Sequence, residues 1–233
     1  MTVTVGGVVE TGAAASAETD AVTDFQANRR QFAFYSAQGV AATQVSPGVG
    51  LSMNAVDGSD IVTNISGEPI QRFSVATAGI GNIMSTASGA GALAVLSPNH
   101  SPRLLIRVQL PAASANVTSW LAGFFTTTAV TAAGAFLRIA TTGNVFFVTD
   151  QAGTETTTDL GVLSRVAVLG FEISTADAGV TWLCKNQAGT VLATHTTNVP
   201  AVGTALAYGV AGVTATGAVP WGVASIEGWA TFA

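Results

Sequence analysis

From about residue 60 onward the chain is written as short apolar segments cut by Gly, Asn and Asp turns, and that punctuation favours a β architecture. In Leu104-Leu105-Ile106-Arg107-Val108-Gln109-Leu110, the side chains of Leu104, Ile106, Val108 and Leu110 share one face. Arg107 and Gln109 share the other, which is the two-residue period of a half-buried strand. Strands are predicted over 61–65, 70–76, 92–96, 103–109, 120–126, 136–140, 145–149, 166–173, 180–185, 190–196, 205–213 and 225–232. Short strands at this near-regular spacing predict a sandwich or a barrel.

A length of 233 residues accommodates one large all-β domain, or one such domain behind an arm. Only 9% of residues are charged, against about 25% in ordinary soluble domains, and Lys185 is the single lysine. Hydrophobic residues reach 48%, which excludes disorder driven by charge and polarity. A net charge of −5 argues against a basic nucleic-acid platform. Cys184 is the only cysteine, so neither an intrachain disulfide nor a multi-cysteine metal site is available. Met1-Thr2-Val3-Thr4-Val5 lacks the basic and apolar regions of a signal peptide. No formal charge falls between Arg72 and Arg103 or between Arg107 and Arg138, but Asn82, Pro111, Asn116 and many Ser, Thr and Gly residues interrupt both stretches. They read as strands and turns, with no membrane as partner. A surface so short of Lys and Glu is expected to be covered by permanent contacts, in a homo-oligomer or a larger shell.

The first part of the chain has another texture. Residues 2–10 alternate like a strand interrupted by Gly6-Gly7. Residues 13–31 carry the only helical pattern: Ser16 suits a cap, Glu18 and Asp20 a first turn, Arg29 and Arg30 a last turn. Pro47-Gly48 and Val56-Asp57-Gly58-Ser59-Asp60 mark loops. The division expected is an N-terminal arm over 1–59 and a sheet domain over 60–233. Phe25, Arg29, Arg30, Phe32, Phe34 and Tyr35 are the candidate docking residues of that arm, because interface cores favour aromatics with Arg. One internal echo sets Phe146-Phe147-Val148-Thr149-Asp150-Gln151-Ala152-Gly153-Thr154 beside Trp182-Leu183-Cys184-Lys185-Asn186-Gln187-Ala188-Gly189-Thr190. Each reads as a hairpin with an Asx residue and a Gly in its turn.

The segment Val168-Leu169-Gly170-Phe171-Glu172-Ile173-Ser174, then Val180-Thr181-Trp182 through Asn186-Gln187-Ala188-Gly189, then Leu192-Ala193-Thr194-His195-Thr196-Thr197-Asn198-Val199-Pro200, carries a family likeness. With Ala207-Tyr208-Gly209-Val210 and the closing Ala224-Ser225-Ile226-Glu227-Gly228-Trp229-Ala230, it resembles the concanavalin A-like or laminin-G-like jelly roll of tailed-bacteriophage structural proteins. The likeness covers roughly residues 100–233. It implies a jelly-roll β-sandwich behind an arm with a short helix. It further implies a non-enzymatic capsid decoration (cement) protein on the virion exterior, assembled in the host cytoplasm. Its partners would be the major capsid protein and its own copies, as a trimer. The alternative is a carbohydrate- or receptor-binding module of a tail or head fibre, with a host-surface glycan as partner.

Catalytic chemistry finds little support. His100 lies in a turn-forming run, Ser97-Pro98-Asn99-His100-Ser101-Pro102, and His195 lies in a strand between threonines. Neither has a nucleophile motif beside it. Glycoside hydrolysis needs two carboxylates at a fixed separation. Glu172 is the lone acid of its strand, Glu155 and Asp159 flank a Thr-rich turn, and Glu227 has no acid near it in sequence. Asp57-Gly58-Ser59-Asp60 is the best local oxygen cluster for calcium, and Asp150 and Asp177 are single turn acids. Turn formation accounts for all of them, so no cofactor or metal is expected. Of the tryptophans, Trp182 and Trp229 read as core, while Trp221, between Pro220 and Gly222, is the best single candidate for a ligand or partner contact.

Overall fold

The structure is a computed structural model, and it describes residues 3–5, 8–10, 29–36, 51–65, 67–84, 96–112, 117–126, 133–175, 177–214 and 219–231. Among these residues the regular elements are β-strands, apart from one 3-10 turn at Pro98–His100. Strands β1 (Val3–Val5) and β2 (Val8–Glu10) pair as a separate antiparallel ribbon. The remaining strands are β3 (Arg29–Ser36), β4 (Ser52–Ile65), β5 (Glu68–Met84), β6 (Arg103–Gln109), β7 (Val117–Phe125), β8 (Gly134–Ile139) and β9 (Val145–Gln151). They continue as β10 (Thr154–Asp159), β11 (Leu169–Thr175), β12 (Trp182–Asn186), β13 (Val191–His195), β14 (Ala207–Thr214) and β15 (Val219–Thr231).

These strands form one antiparallel ladder in the order β10-β9-β8-β7-β14-β5-β15-β6-β11-β12-β13, with β3 added on β15 and β4 on β5. Strand β5 carries the ladder from one layer to the other. Its residues 80–84 pair with β14 and its residues 71–75 with β15. The ladder then folds back on itself. Phe124 of β7 meets Trp182 of β12 edge-on at 5.5 Å, and Phe147 of β9 lies 4.8 Å from the His195 ring of β13. Strands far apart in the ladder thus face one another as a two-layer sandwich, a jelly roll of the concanavalin A-like type.

The core follows from alternation. Leu104, Ile106, Val108 and Leu110 are fully buried, while Arg103, Leu105, Arg107 and Gln109 of β6 are partly exposed on the opposite face. Trp120, Trp182, Trp221, Phe73, Phe124 and Phe147 fill the space between the layers. Burying a side chain of this size contributes about 2–3 kcal/mol, so these aromatics outweigh any single polar contact.

Several expectations change. Arg29 and Arg30 do not end a helix: they open β3, which pairs with β15 through Thr231↔Arg29 and Ala230↔Arg30. The aromatic, β-preferring run that follows them finds a strand partner, and ladder hydrogen bonds replace a helix end. Residues 13–28, with Phe25, lie outside the described residues. The run Val56-Asp57-Gly58-Ser59-Asp60 is no loop: it lies inside β4, where the register jumps from Val56↔Ile80 to Gly58↔Val75. Glycine here marks a β-irregularity within a strand and not a turn. The expected division at residues 59 and 60 falls within this same strand. Of the strand expected over 92–96, the described part is Leu96, in an isolated bridge to Leu206. The echoed segments both form hairpins, with Asp150 Oδ1 accepting from the Gly153 amide and Asn186 Oδ1 accepting from Ala188 and Thr190. Gly153 and Gly189 take φ of 86° and 81°, as those turns require.

Candidate binding cleft

The outer face of β15, β6, β11 and β12 carries an open cleft of about 460 Å³. Strand register sets its floor. Glu227 of β15 pairs with Leu105 of β6, and Leu105 pairs with Glu172 of β11. Glu172 in turn pairs with Lys185 of β12. One row across the sheet therefore reads Glu227, Leu105, Glu172, Lys185. Arg103 and Arg107 flank Leu105 on the same face of β6, because alternate residues of a strand point the same way. The β12–β13 turn, Asn186-Gln187-Ala188-Gly189, forms one wall.

Glu172 is the most constrained group. Arg103 Nη2 donates to its Oε2 at 2.6 Å, while Lys185 Nζ and Ser174 Oγ each donate to its Oε1 at 3.1 Å. Burial alone would raise its pKa, but the hydrogen bonds and charges of Lys185 and Arg103 prevail and hold it below the ordinary carboxylate value. Arg107 pairs with Glu68, which precedes the core stretch of β5. Glu227 has no ion-pair partner among the described residues. Three cations (Arg103, Arg107, Lys185) thus face three carboxylates (Glu68, Glu172, Glu227), and the cleft with its supports is electrically neutral.

That Glu172 and Glu227 stand in one row, on either side of Leu105, is not visible in sequence order. They stand on alternate strands of one face, so their backbones are roughly 9–10 Å apart, two strand spacings. Each is the lone acid of its strand, and only the register of β6 between them brings them together. The signal available in sequence was the placement of each on the polar side of an alternating strand.

The other candidate residues are dispersed. Trp221 is not exposed: it is 1% accessible and stacks on Phe73 with ring centroids 4.5 Å apart. Pro220 opens no loop there, because Val219, Pro220 and Trp221 pair with Val75, Ser74 and Phe73 within the ladder. Trp182 is fully buried and Trp229 is half-buried at the register position beside Arg103. Of the docking candidates, Phe34 and Tyr35 pair with Glu227 and Ile226, so β3 borders the cleft strand, while Phe32 falls at the register irregularity opposite Gly228 and Trp229. His100 ends the 3-10 turn after Ser97. His195 bonds across the sandwich to Thr149 and Thr158, and burial lowers its pKa. Glu155 is gripped by Arg138 through two bonds of 2.5 and 2.8 Å. Asp159 accepts from Asn144 and from the Gly161 amide, and Asp177 from Thr175 and the Thr181 amide. Among the described residues no group of three or more His, Cys, Asp or Glu side chains is placed to hold a metal ion. Among them, too, no helix is long and apolar enough to cross a membrane.

Fold and cleft together define a jelly-roll β-sandwich protein with a polar groove on one sheet. No family model matches the chain, and no curated protein does so. Solved structures share its fold. A protein of unknown function from Shewanella oneidensis MR-1 superimposes with a TM-score of 0.60 at 16% identity, over 95% of this chain and 97% of that one. Alginate lyase A1-II′, a member of polysaccharide lyase family 7, gives 0.52 at 10% identity over 74% of this chain and 84% of the lyase. A sialidase gives 0.53 at 7% identity over 83% of this chain, which matches 18% of that longer protein. At these identities the likeness is one of fold.

Proposed function

We propose that this protein is a glycan-binding module that holds a neutral saccharide in the cleft without breaking it. The observation that carries the reading is the neutral, hydrogen-bonding surface around Leu105, with Arg103, Arg107, Glu172 and Glu227 on one face. Sugar hydroxyls are recognised by such mixed donors and acceptors set beside a small apolar floor. An acidic polymer would need a surplus of cations, and each cation here is already ion-paired, Arg103 and Lys185 with Glu172 and Arg107 with Glu68. Proteins of the same fold that are named as an alginate lyase and a sialidase lend general support.

Turnover is disfavoured by the state of Glu172. A carboxylate pair that cleaves glycosides needs one member to carry and release a proton. Glu172, held ionised by two cations, cannot supply that proton, and the donors on both its oxygens also oppose its use as the nucleophile or base. The test is a glycan array followed by calorimetry on any hit, with Glu227→Gln and Arg107→Ala as cleft variants. The expected result is binding that each variant weakens, with no new reducing ends after prolonged incubation. Binding that survives both substitutions would move the site elsewhere, and steady product formation would make the protein an enzyme.

A virion decoration protein is the second reading. It is favoured by the 9% charge content and by valines exposed outside the cleft, Val162 at 71% and Val166 at 78%. Such apolar side chains suit burial between neighbouring copies or on a capsid lattice. Sedimentation of the purified chain, alone and with capsids, tests it: a monomer that leaves capsids bare would exclude it.

A further inference from the structure

Strand β11 carries Gly170 on the outer face of the sheet, where it pairs with Arg107 of the cleft floor. A Cβ at Gly170 would stand 2.9 Å from Gln187 Cβ and 3.0 Å from Gln187 Oε1. The Gln187 side chain therefore lies against the backbone of Gly170, in the place a side chain of β11 would otherwise take. It reaches there from the β12–β13 turn, and that turn is fixed by Asn186, whose Oδ1 accepts from the Ala188 amide at 3.0 Å and the Thr190 amide at 2.9 Å. Gly189, at φ 81°, completes the turn. An exposed glutamine usually samples many rotamers and contributes little to recognition, because ordering it costs about 1.5–2 kcal/mol. Here the seat on Gly170 and the Asx-type turn remove much of that freedom before any ligand arrives.

Resting on the glycan-binding reading, we infer that Gln187 is the specificity-determining residue of the cleft, and that Gly170 and Asn186 are its positioning residues. A primary amide offers one acceptor and two donors in a plane, which suits a pair of neighbouring sugar hydroxyls. Apart from Glu227, the charged groups of the floor are engaged with one another, so Gln187 is the wall group that selects among neutral saccharides by the spacing of their hydroxyls. The second hairpin of the same turn chemistry, Asp150-Gln151-Ala152-Gly153, shows the contrast: Gln151 is exposed at the far edge of the other layer and is no part of the cleft.

The experiment compares the unaltered chain with Gln187→Ala, Gly170→Ala and the double variant, using the glycan array and calorimetry on its strongest neutral hit. Gln187→Ala is expected to weaken that hit about tenfold and to reorder the array, since specificity and not mere affinity is lost. Gly170→Ala is expected to weaken it as much by displacing Gln187, and to lower the melting temperature. The double variant keeps Cβ at position 187, so it is expected to recover only the part of the melting temperature lost to the amide end of the side chain, and to bind no better than either single variant. A structural role for Gly170 alone would restore binding together with stability. Unchanged array ranking in Gln187→Ala, or full-strength binding by Gly170→Ala, overturns the inference while leaving the glycan reading intact. A chain that binds no glycan in its unaltered form overturns both.

Discussion

His195 Nε2 stands 2.9 Å from the Thr158 hydroxyl, a bond that joins the outermost strand of one layer, β13, to the outermost strand of the other, β10. Its Nδ1 is 3.0 Å from Thr149 Oγ1, which donates to the Thr197 carbonyl at 3.1 Å. With that hydroxyl proton committed, Nδ1 must carry the ring hydrogen and Nε2 must accept from Thr158. Thr156 with Thr197, and Asn198 with Thr156 and the Glu155 carbonyl, extend the same seam.

The neutral imidazole thus satisfies both neighbours, whereas the imidazolium requires the Thr158 hydroxyl to turn from donor to acceptor. Burial holds the His195 pKa below its ordinary value of 6.5. A histidine lowered on folding contributes stability that is complete above the unfolded pKa and declines as pH falls through it toward the folded one. Urea midpoints followed from about pH 8 to about pH 5 are expected to drop with acid, and to drop less in His195→Gln, which hydrogen-bonds without titrating in that range. Parallel profiles for the two proteins would exclude His195 as the titrating group.

Glu172 gives a second, separate acid window. Its carboxylate is lowered on folding by Lys185 and Arg103 against the opposing effect of burial, so its contribution is complete above the ordinary value of 4.5 and is lost below it. Glu172→Gln leaves both cations facing a neutral amide in a site where the acid was 11% exposed. The expected cost is about 1–3 kcal/mol, and Arg103→Ala, which removes a partner 39% exposed, is expected to cost less. Chemical denaturation of the two variants checks the order. Equal losses would mean that the pair contributes through packing and not through charge.

Alternation within a strand was legible residue by residue. The strand expected over 103–109 is β6, and its buried and exposed faces are those its side chains imply. The hairpin turns at Asp150 and Asn186 were legible because Asx-to-backbone bonds are local. What sequence order hides is pairing between distant strands. Glu172 and Glu227 fall in one row of the cleft only because β6 lies between β11 and β15, and Gln187 finds its seat only because residue 170 has no side chain. Trp221 misled for a related reason: Pro and Gly beside it suggest a loop, but at a position where β15 pairs with β5 they sit within a ladder.

Trp221 stacks on Phe73 at 4.5 Å and passes so close to Gly212 that a Cβ there would lie 2.8 Å from the indole Nε1. Trp221→Ala is expected to cost about 3–5 kcal/mol through the cavity it leaves. Gly212→Ala is expected to destabilise by overpacking, about 1–3 kcal/mol. Neither residue touches the cleft, so glycan binding measured below the melting temperature is expected to be unchanged. A selective loss of binding in a folded Trp221→Ala protein would return that tryptophan to the site.

Cys184 lies on the inner face of β12, fully buried, and burial together with the Glu172 charge pushes its thiol pKa up to about 12. The thiolate is the reactive form, so both access and ionisation oppose its chemistry in the folded protein. A colourless disulfide reagent that releases a chromophore on thiol attack is expected to report essentially no reaction in buffer and one thiol per chain in concentrated urea. Because β12 bonds to β13 on one side and to β11 on the other, exposure of Cys184 requires that the sandwich part beneath the cleft. The labelling rate at intermediate urea therefore measures opening of that layer. His195→Gln, which keeps a hydrogen-bonding group but loses the ring contact with Phe147, is expected to raise the rate at about pH 7.5, and Gln187→Ala, at the outer wall, is expected to leave it unchanged. Rapid labelling of the native chain would place Cys184 in an accessible crevice and remove β12 from the core.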